Sequence, residues 1–373
     1  MITLIIFSLV LILAFMNGAN DNFKGVSTLY GSKVTTYKQA LTWASITTFL
    51  GSLTSLFLAQ ALIVRFSGKG LVDELVSTSP YFVIAVALGT IITLVLATRF
   101  GFPISTTHAL LGSLIGVGLI SNSSLFNLTL LSQKFIFPLL FTPILSALLA
   151  SLVFGLTSIF KNFLLPSEPH CICLHSRIPF WALSPCCQNS ALPHPSIDLQ
   201  IESPSQCNSI SAPPLARIVL PSLIDSLHFI SAGAVCFARG LNDTPKIMGL
   251  LLLSSALSIQ HSIMMIAIAM VMGGIIGGRK VAETTSQRVT SMNPREGLSA
   301  NLSTALLVTT ASLHGLPAST THVTIGGLIG VGSITKKMHW KPVLGILTSW
   351  ILTLPCSLFF AALSFYLLQK KHL

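Results

Sequence analysis

Two motifs occur twice in this chain, in the same order, once in each half. "GANDNFKG" at 18–25 returns as "GLNDTPKIMG" at 240–249, aligning Gly18, Asn20, Asp21 and Lys24 with Gly240, Asn242, Asp243 and Lys246. "GFPISTTHALLGSLIGVG" at 101–118 returns as "GLPASTTHVTIGGLIGVG" at 315–332. Both pairs in one order imply an internal duplication, with repeats at 1–160 and 217–373. Between them, 161–216 is rich in Pro, Ser, Cys and His ("PSEPHCICLHSRIPFWALSPCCQNS"), without helical periodicity, and reads as a connecting loop with no structure of its own.

The duplicated segments are built for lipid. Only 8% of the 373 residues are charged and 52% are hydrophobic, against about 25% charged in a soluble domain. Apolar runs recur near 41–64, 80–98, 103–120, 135–160, 218–236, 247–277, 299–313, 316–334 and 342–368, following the one that opens the chain. The expected fold is an all-α integral membrane protein with about 10–12 transmembrane or half-spanning helices in two inverted repeats. The first run lacks a basic flank and a small-residue cleavage site, so it reads as a helix and not a signal peptide. The alternation of a membrane β-barrel is absent, and the basic residues, for all the formal charge of +11, form no stripe suited to nucleic acid.

The polar stretch that begins at Asn17 interrupts the first apolar run. Irregular backbone is tolerated in a bilayer only where protein or a water-filled cavity satisfies it, so a break after Phe15 is expected to line a cavity. Asp21 and Lys24, at i and i+3, share a face if that turn is helical, and pairing offsets the roughly 2.5–3.5 kcal/mol that each charge costs at a helix centre. In the second motif, Ser105, Thr106 and Thr107 follow Pro103, and Ser319, Thr320 and Thr321 follow Pro317, where helices are expected to start. Two helix N-termini, each with free N–H groups and three hydroxyls, suit a tetrahedral oxyanion. The glycines behind them (Gly112, Gly116 and Gly118; Gly326, Gly327, Gly330 and Gly332) permit close helix contact.

Each feature has a plainer reading. Membrane Ser and Thr often bond back to their own helix, an intramembrane Asp also serves as a structural partner, and His108 and His322 could bond within the bundle. Lys24, Lys246, Arg99 and Arg239 could snorkel to an interface. Duplication favours the functional reading for the Asp and Ser-Thr-Thr pairs. Cys171, Cys173, Cys186, Cys187 and Cys207 lack the spacing of zinc pairs, so neither a metal site nor a cofactor is expected. Nor is an enzyme, because Ser-Thr-Thr-His is present in two equal copies, which suits a two-fold carrier better than one asymmetric catalytic centre.

Gly-x-Asn-Asp near the start of each half and Gly-x-Pro-x-Ser-Thr-Thr-His near its end, with "GGRKVAETTSQRVT" at 277–290, resemble the inorganic phosphate transporter (PiT, or Pho-4) family. The resemblance implies a multi-pass symporter of the cell (inner) membrane, commonly a homodimer, carrying inorganic phosphate with Na⁺ or H⁺. It also implies that Asn20, Asp21, Asn242 and Asp243 lie at substrate and ion sites, Asp21 and Asp243 serving the coupling ion, and that the two Ser-Thr-Thr triplets hold the oxyanion. A sulfate or other oxyanion permease is the alternative, ahead of a channel or a phosphatase. The family's Asp-x-x-Asn is here Asp-x-x-Lys twice, so Lys24 and Lys246 join the expected substrate site and leave the coupling ion open. Their ammonium groups would occupy a Na⁺ position and leave protons to couple transport. The basic 279–295 loop is expected to face the cytoplasm.

Overall fold

The computed structural model describes residues 2–122, 126–159, 171–177, 196–202, 216–219, 223–252, 258–288 and 292–370. The first repeat holds α1 (Ile2–Asp21), a 3₁₀ turn (Lys24–Val26), α2 (Ser27–Gly31), α3 (Tyr37–Leu58), α4 (Gln60–Phe66), α5 (Glu74–Ser77), α6 (Pro80–Phe100), α7 (Thr106–Asn122), α8 (Leu128–Leu131) and α9 (Phe137–Ile159). The second holds α10 (Leu223–Met248), α11 (Ile259–Gly277), α12 (Arg279–Glu283), α13 (Pro294–Leu313), α14 (Thr320–Thr335) and α15 (Trp340–Lys370). The long helices follow one another in the same order in both.

Six helical stretches among the described residues are long and apolar enough to cross a membrane: Ile2–Gly31, Tyr37–Leu58, Pro80–Phe100, Leu128–Ile159, Ile259–Gly277 and Trp340–Lys370. Helices α10 and α13 have the length, at 26 and 20 residues, but are more polar. At 17 and 16 residues, α7 and α14 fall short of the about 20 that a full crossing takes. The chain is a multi-pass membrane protein.

Several boundaries differ from the sequence expectation. Helix α1 does not break after Phe15 but runs on through Asn17, Gly18 and Asn20 to Asp21, because buried polar partners satisfy those side chains without a break. The apolar run at 41–64 divides at Ala59, between α3 and α4. The run expected at 247–277 is not one helix: α10 ends at Met248, a 3₁₀ turn covers Gly249–Leu251, and α11 begins at Ile259 after a Ser258 cap.

The motif Gly-x-Pro-x-Ser-Thr-Thr-His is a helix stop followed by a helix start. Gly101 (φ 73°) and Gly315 (φ 62°) take the left-handed conformation that ends α6 and follows α13. The next residue closes each stop, Phe102 N–H to Ala97 O at 2.9 Å and Leu316 N–H to Ala311 O at 2.8 Å. Three residues after Pro103 and Pro317 the new helices begin, with Ser105 Oγ accepting from His108 N–H and Ser319 Oγ accepting from His322 N–H, both at 3.2 Å.

The repeats do not pack as separate bodies. Residues Met1–Ser158 and His228–Leu373 form one unit, in which glycines bring each repeat's helices against the other's. A Cβ at Gly18 in α1 would overlap the Met270 carbonyl in α11, and one at Gly273 in α11 would overlap Phe15 O in α1. Helices α3 and α10 meet in the same way, through Gly51 on Phe237 O and Gly240 on Thr48 O. Gly112 and Gly116 seat α7 on the Leu354 and Leu358 carbonyls of α15, while Gly326 and Gly330 seat α14 on the Pro143 and Ala147 carbonyls of α9. Around these contacts, Leu13, Phe66, Phe82, Leu94, Leu110 and Ile266 are among the residues of the largest apolar core.

The second unit, Ile159–Leu227, contains a three-stranded antiparallel sheet, with β1 (Cys171–Arg177) paired to both β2 (Ser196–Glu202) and β3 (Ala216–Val219). The connecting segment was expected to lack structure. Short alternating runs such as "SIDLQIE" carry the β pattern that a search for helical periodicity passes over. Cys171, Cys173 and His175 lie on β1, whereas Cys186, Cys187, Cys207, His170 and His194 fall outside the described residues.

Candidate functional site

The four duplicated segments converge on one buried cluster. Lys24 follows the end of α1 by three residues, where the chain tightens into the 3₁₀ turn, and its ammonium turns back onto Asp21. The same Nζ donates to Asn20 Oδ1 at 2.9 Å, to Ile104 O at 2.7 Å and to Thr321 Oγ1 at 2.8 Å. Lys24 is 4% exposed. Lys246 repeats this in α10, donating to Asp243 Oδ1 at 3.2 Å, to Ala318 O at 2.7 Å and to Thr107 Oγ1 at 2.6 Å, and is 1% exposed. Neither lysine snorkels to an interface, and neither does Arg239, which is also 1% exposed. Arg99 remains at the surface.

The pattern is two-fold in its chemistry. Each lysine bonds the aspartate of its own repeat, the carbonyl before its own Ser-Thr-Thr triplet, and the last threonine of the other repeat's triplet. Those threonines complete the exchange, Thr321 Oγ1 donating to Ile104 O at 3.0 Å and Thr107 Oγ1 to Ala318 O at 3.1 Å. Asn20 Nδ2 donates to Phe102 O at 3.0 Å and Asn242 Nδ2 to Ala318 O at 3.0 Å, so both motif asparagines hold the extended segment ahead of a half-length helix. Beside the cluster the His108 and His322 rings lie 4.2 Å apart between centroids, with Trp350 against His322.

The hydroxyls are not all alike. Ser105 and Ser319 cap α7 and α14. Thr106 Oγ1 donates to Asp21 Oδ2 at 3.0 Å and accepts from Asn17 Nδ2 at 2.9 Å. Thr107 and Thr321 are tied to the lysines, while Thr320 is buried at the second helix start. All twelve expected site residues lie in or beside this cluster. A small gap beside Lys24 and Thr321 is lined also by Ser27, Thr324, Ile325 and Thr285, the last from the 277–290 stretch.

Asn17 is the residue that sequence reasoning missed. It donates to Asp21 Oδ2 at 3.2 Å and to Asp243 Oδ2 at 3.4 Å, linking the aspartates of the two repeats. Its place one turn before Asp21 was the available signal, because i and i+4 share a helix face. In the register that aligns Asp21 with Asp243, its counterpart is Arg239.

The sequence model of the phosphate transporter family matches residues 17–361. A Rhizobium meliloti protein named "Probable low-affinity inorganic phosphate transporter" is 25% identical, over 94% of this chain and 92% of its own. A Bacillus subtilis protein of the same name is 24% identical, over 99% and 97%. A solved structure titled "The sodium-dependent phosphate transporter" superposes with a TM-score of 0.76 at 21% identity, covering 99% of both chains, and so shares the fold.

Proposed function

The chain belongs to the phosphate transporter family, and we propose that it is a secondary symporter of the cell membrane that carries inorganic phosphate between its two repeats, coupled to protons. The observation that carries the coupling is the set of atoms around Lys24 Nζ. A carboxylate oxygen of Asp21, the Asn20 amide oxygen, the Ile104 carbonyl and the Thr321 hydroxyl converge on it. Such all-oxygen cages are what hard cations take. Here a covalently attached ammonium fills the cage, and Lys246 fills its counterpart with three oxygens. A covalently held positive charge stands beside each aspartate where Na⁺ would otherwise sit, and it attracts the anion.

Phosphate binds, on this reading, by drawing Lys24 and Lys246 and the first turns of α7 and α14 onto its oxygens. The ammonium groups then exchange threonine and carbonyl partners for a charged acceptor, a stronger bond than the one given up. Because Lys24–Thr321 and Lys246–Thr107 join the two repeats, anion binding at the lysines loosens two contacts that cross the core beside the half-length helices. The proton travels on an aspartate or lysine of the cluster, released from its partner as the anion arrives.

Uptake of radiolabelled phosphate into proteoliposomes, with Na⁺ and pH gradients imposed separately, tests the proposal. Saturable uptake driven by an inward proton gradient at zero Na⁺ is expected. Strict Na⁺ dependence with no response to a pH gradient would refute the proton coupling. Equal or faster sulfate flux would shift the substrate to the wider oxyanion class, and flux that needs no ion gradient would point to a channel.

A further inference from the structure

Arg239 breaks the two-fold pattern of the core. Its counterpart Asn17 is used toward Asp21, Asp243 and Thr106. Arg239 makes two contacts, both through Nη2, to Asn22 Oδ1 at 3.2 Å and to Thr48 Oγ1 at 3.4 Å. Its Nε and Nη1 are buried with no hydrogen-bond partner among the described residues, and no carboxylate there forms an ion pair with it. A guanidinium stays protonated at any physiological pH. Holding such an ion out of water without a counter-charge is unfavourable.

Its surroundings show what it lacks. Asn22 lies between Asp21 and Lys24, and its amide also donates to Ser45 Oγ at 3.2 Å. Thr48 Oγ1 donates to Asn22 Oδ1 at 3.1 Å, so the contacts of Arg239 are neutral dipoles and none is an anion. Lys24 lies within electrostatic reach of Arg239, so a second basic side chain is close by and no acidic one offsets Arg239 directly. Around this cluster Lys24, Lys246 and Arg239 stand against Asp21 and Asp243, three basic side chains to two acidic, while the buried carboxylate of Glu296 is paired elsewhere with Lys337 at 2.9 Å.

We propose that Arg239 is a ligand of the transported oxyanion, its two unpartnered nitrogens reserved for two oxygens of the substrate. The inference rests on the phosphate-carrier reading and adds to it a third cation, present in one repeat only. The planar fork of a guanidinium matches two oxygens of a tetrahedral anion, with a directionality that an ammonium lacks. The charge count adds selectivity. A phosphate monoanion, or a dianion accompanied by one proton, brings the cluster to neutrality. Sulfate, a dianion that holds no proton at neutral pH, leaves it one negative charge over unless a protein group takes up a proton.

The test uses purified full-length protein and the variants Arg239→Gln and Arg239→Lys, with binding of radiolabelled phosphate and sulfate and thermal unfolding with and without each anion. In the wild type, phosphate is expected to bind more tightly than sulfate and to raise the melting temperature. Arg239→Gln is expected to melt no lower than wild type without anion, because an uncompensated charge is gone. It should lose most of the phosphate-induced rise and bind phosphate about tenfold or more weakly. Arg239→Lys, which keeps the charge and loses the fork, is expected to fall between the two. If Arg239→Gln melts lower without anion yet binds phosphate as wild type does, Arg239 is a structural residue and the proposal fails alone. Should Arg239→Gln not insert, wild-type affinity in Arg239→Lys overturns the two-oxygen contact. A wild type that binds neither anion overturns the carrier reading and this inference together.

Discussion

Lys24 and Thr321 belong to different repeats, and the ammonium of one donates to the hydroxyl of the other at 2.8 Å inside the core. The same bond recurs between Lys246 and Thr107 at 2.6 Å. Each lysine is thereby both a partner for its own aspartate and a latch on the opposite repeat.

Replacing both latches by asparagine is the sharpest test of the coupling ion. Lys24→Asn with Lys246→Asn puts neutral carbonyl oxygens into the two cages and removes two basic groups. Phosphate affinity is expected to fall, and Na⁺, which can then enter the cage, is expected to stimulate uptake. Initial rates at several Na⁺ concentrations measure both effects.

The hydroxyl triplets from both repeats are expected to matter. Ser105, Thr106 and Thr107 changed together to Ala, or Ser319, Thr320 and Thr321 changed together, should each raise the half-saturating phosphate concentration. A hydrogen bond to a charged ligand is worth about 1.5–3 kcal/mol, so the rise is about tenfold to a hundredfold. Unchanged affinity in either properly inserted triple variant would exclude a two-sided cradle.

Gly101→Ala and Gly315→Ala probe the helix stops that hold the extended segments. Both positions have positive φ, where a Cβ costs roughly 1–2 kcal/mol. A Cβ at Gly315 also meets the Ala61 methyl at 2.6 Å, whereas at Gly101 its nearest neighbour is Lys280 O at 3.4 Å. The loss of thermal stability should therefore be larger for Gly315→Ala, as read from melting in detergent.

The connecting unit is expected to be dispensable for transport. Shortening 165–212 to a flexible segment long enough to span the same gap should leave uptake largely intact, and changing its five cysteines should be silent. Loss of uptake with normal membrane insertion, restored by a transition metal only when the segment is whole, would give it a metal site.

Much of the site was legible because duplication makes polar residues in oil conspicuous. Asp21, Lys24 and the triplets could be selected by motif alone, since a bilayer tolerates such residues only with partners. The exchange of partners was not legible. No spacing says that Lys24 reaches Thr321 and not Thr107, because that depends on which helices the glycines bring together. Asn17 was overlooked because the break was placed after Phe15, whereas the helix runs to Asp21 and carries Asn17 on the same face. For Arg239 a snorkelling place at an interface stays open at the level of sequence, because nothing in a single sequence separates a buried arginine from a snorkelling one. The β pattern of the connecting segment lay within a composition that reads as loop.

The glycine contacts bear on how a chain of this kind could arise. Helix α1 lies on α11, α3 on α10, α7 on α15 and α14 on α9, so every one of these backbone seats joins one repeat to the other. A half-length ancestor with this packing would carry four such faces and nothing to set against them. It would be stable only as a pair of identical subunits, each completing the other. Fusion of two such copies would free their sequences to diverge, so that one position could become Asn17 in the first copy and Arg239 in the second. Two separately expressed halves of the present chain should accordingly be lost singly and reassemble when made together.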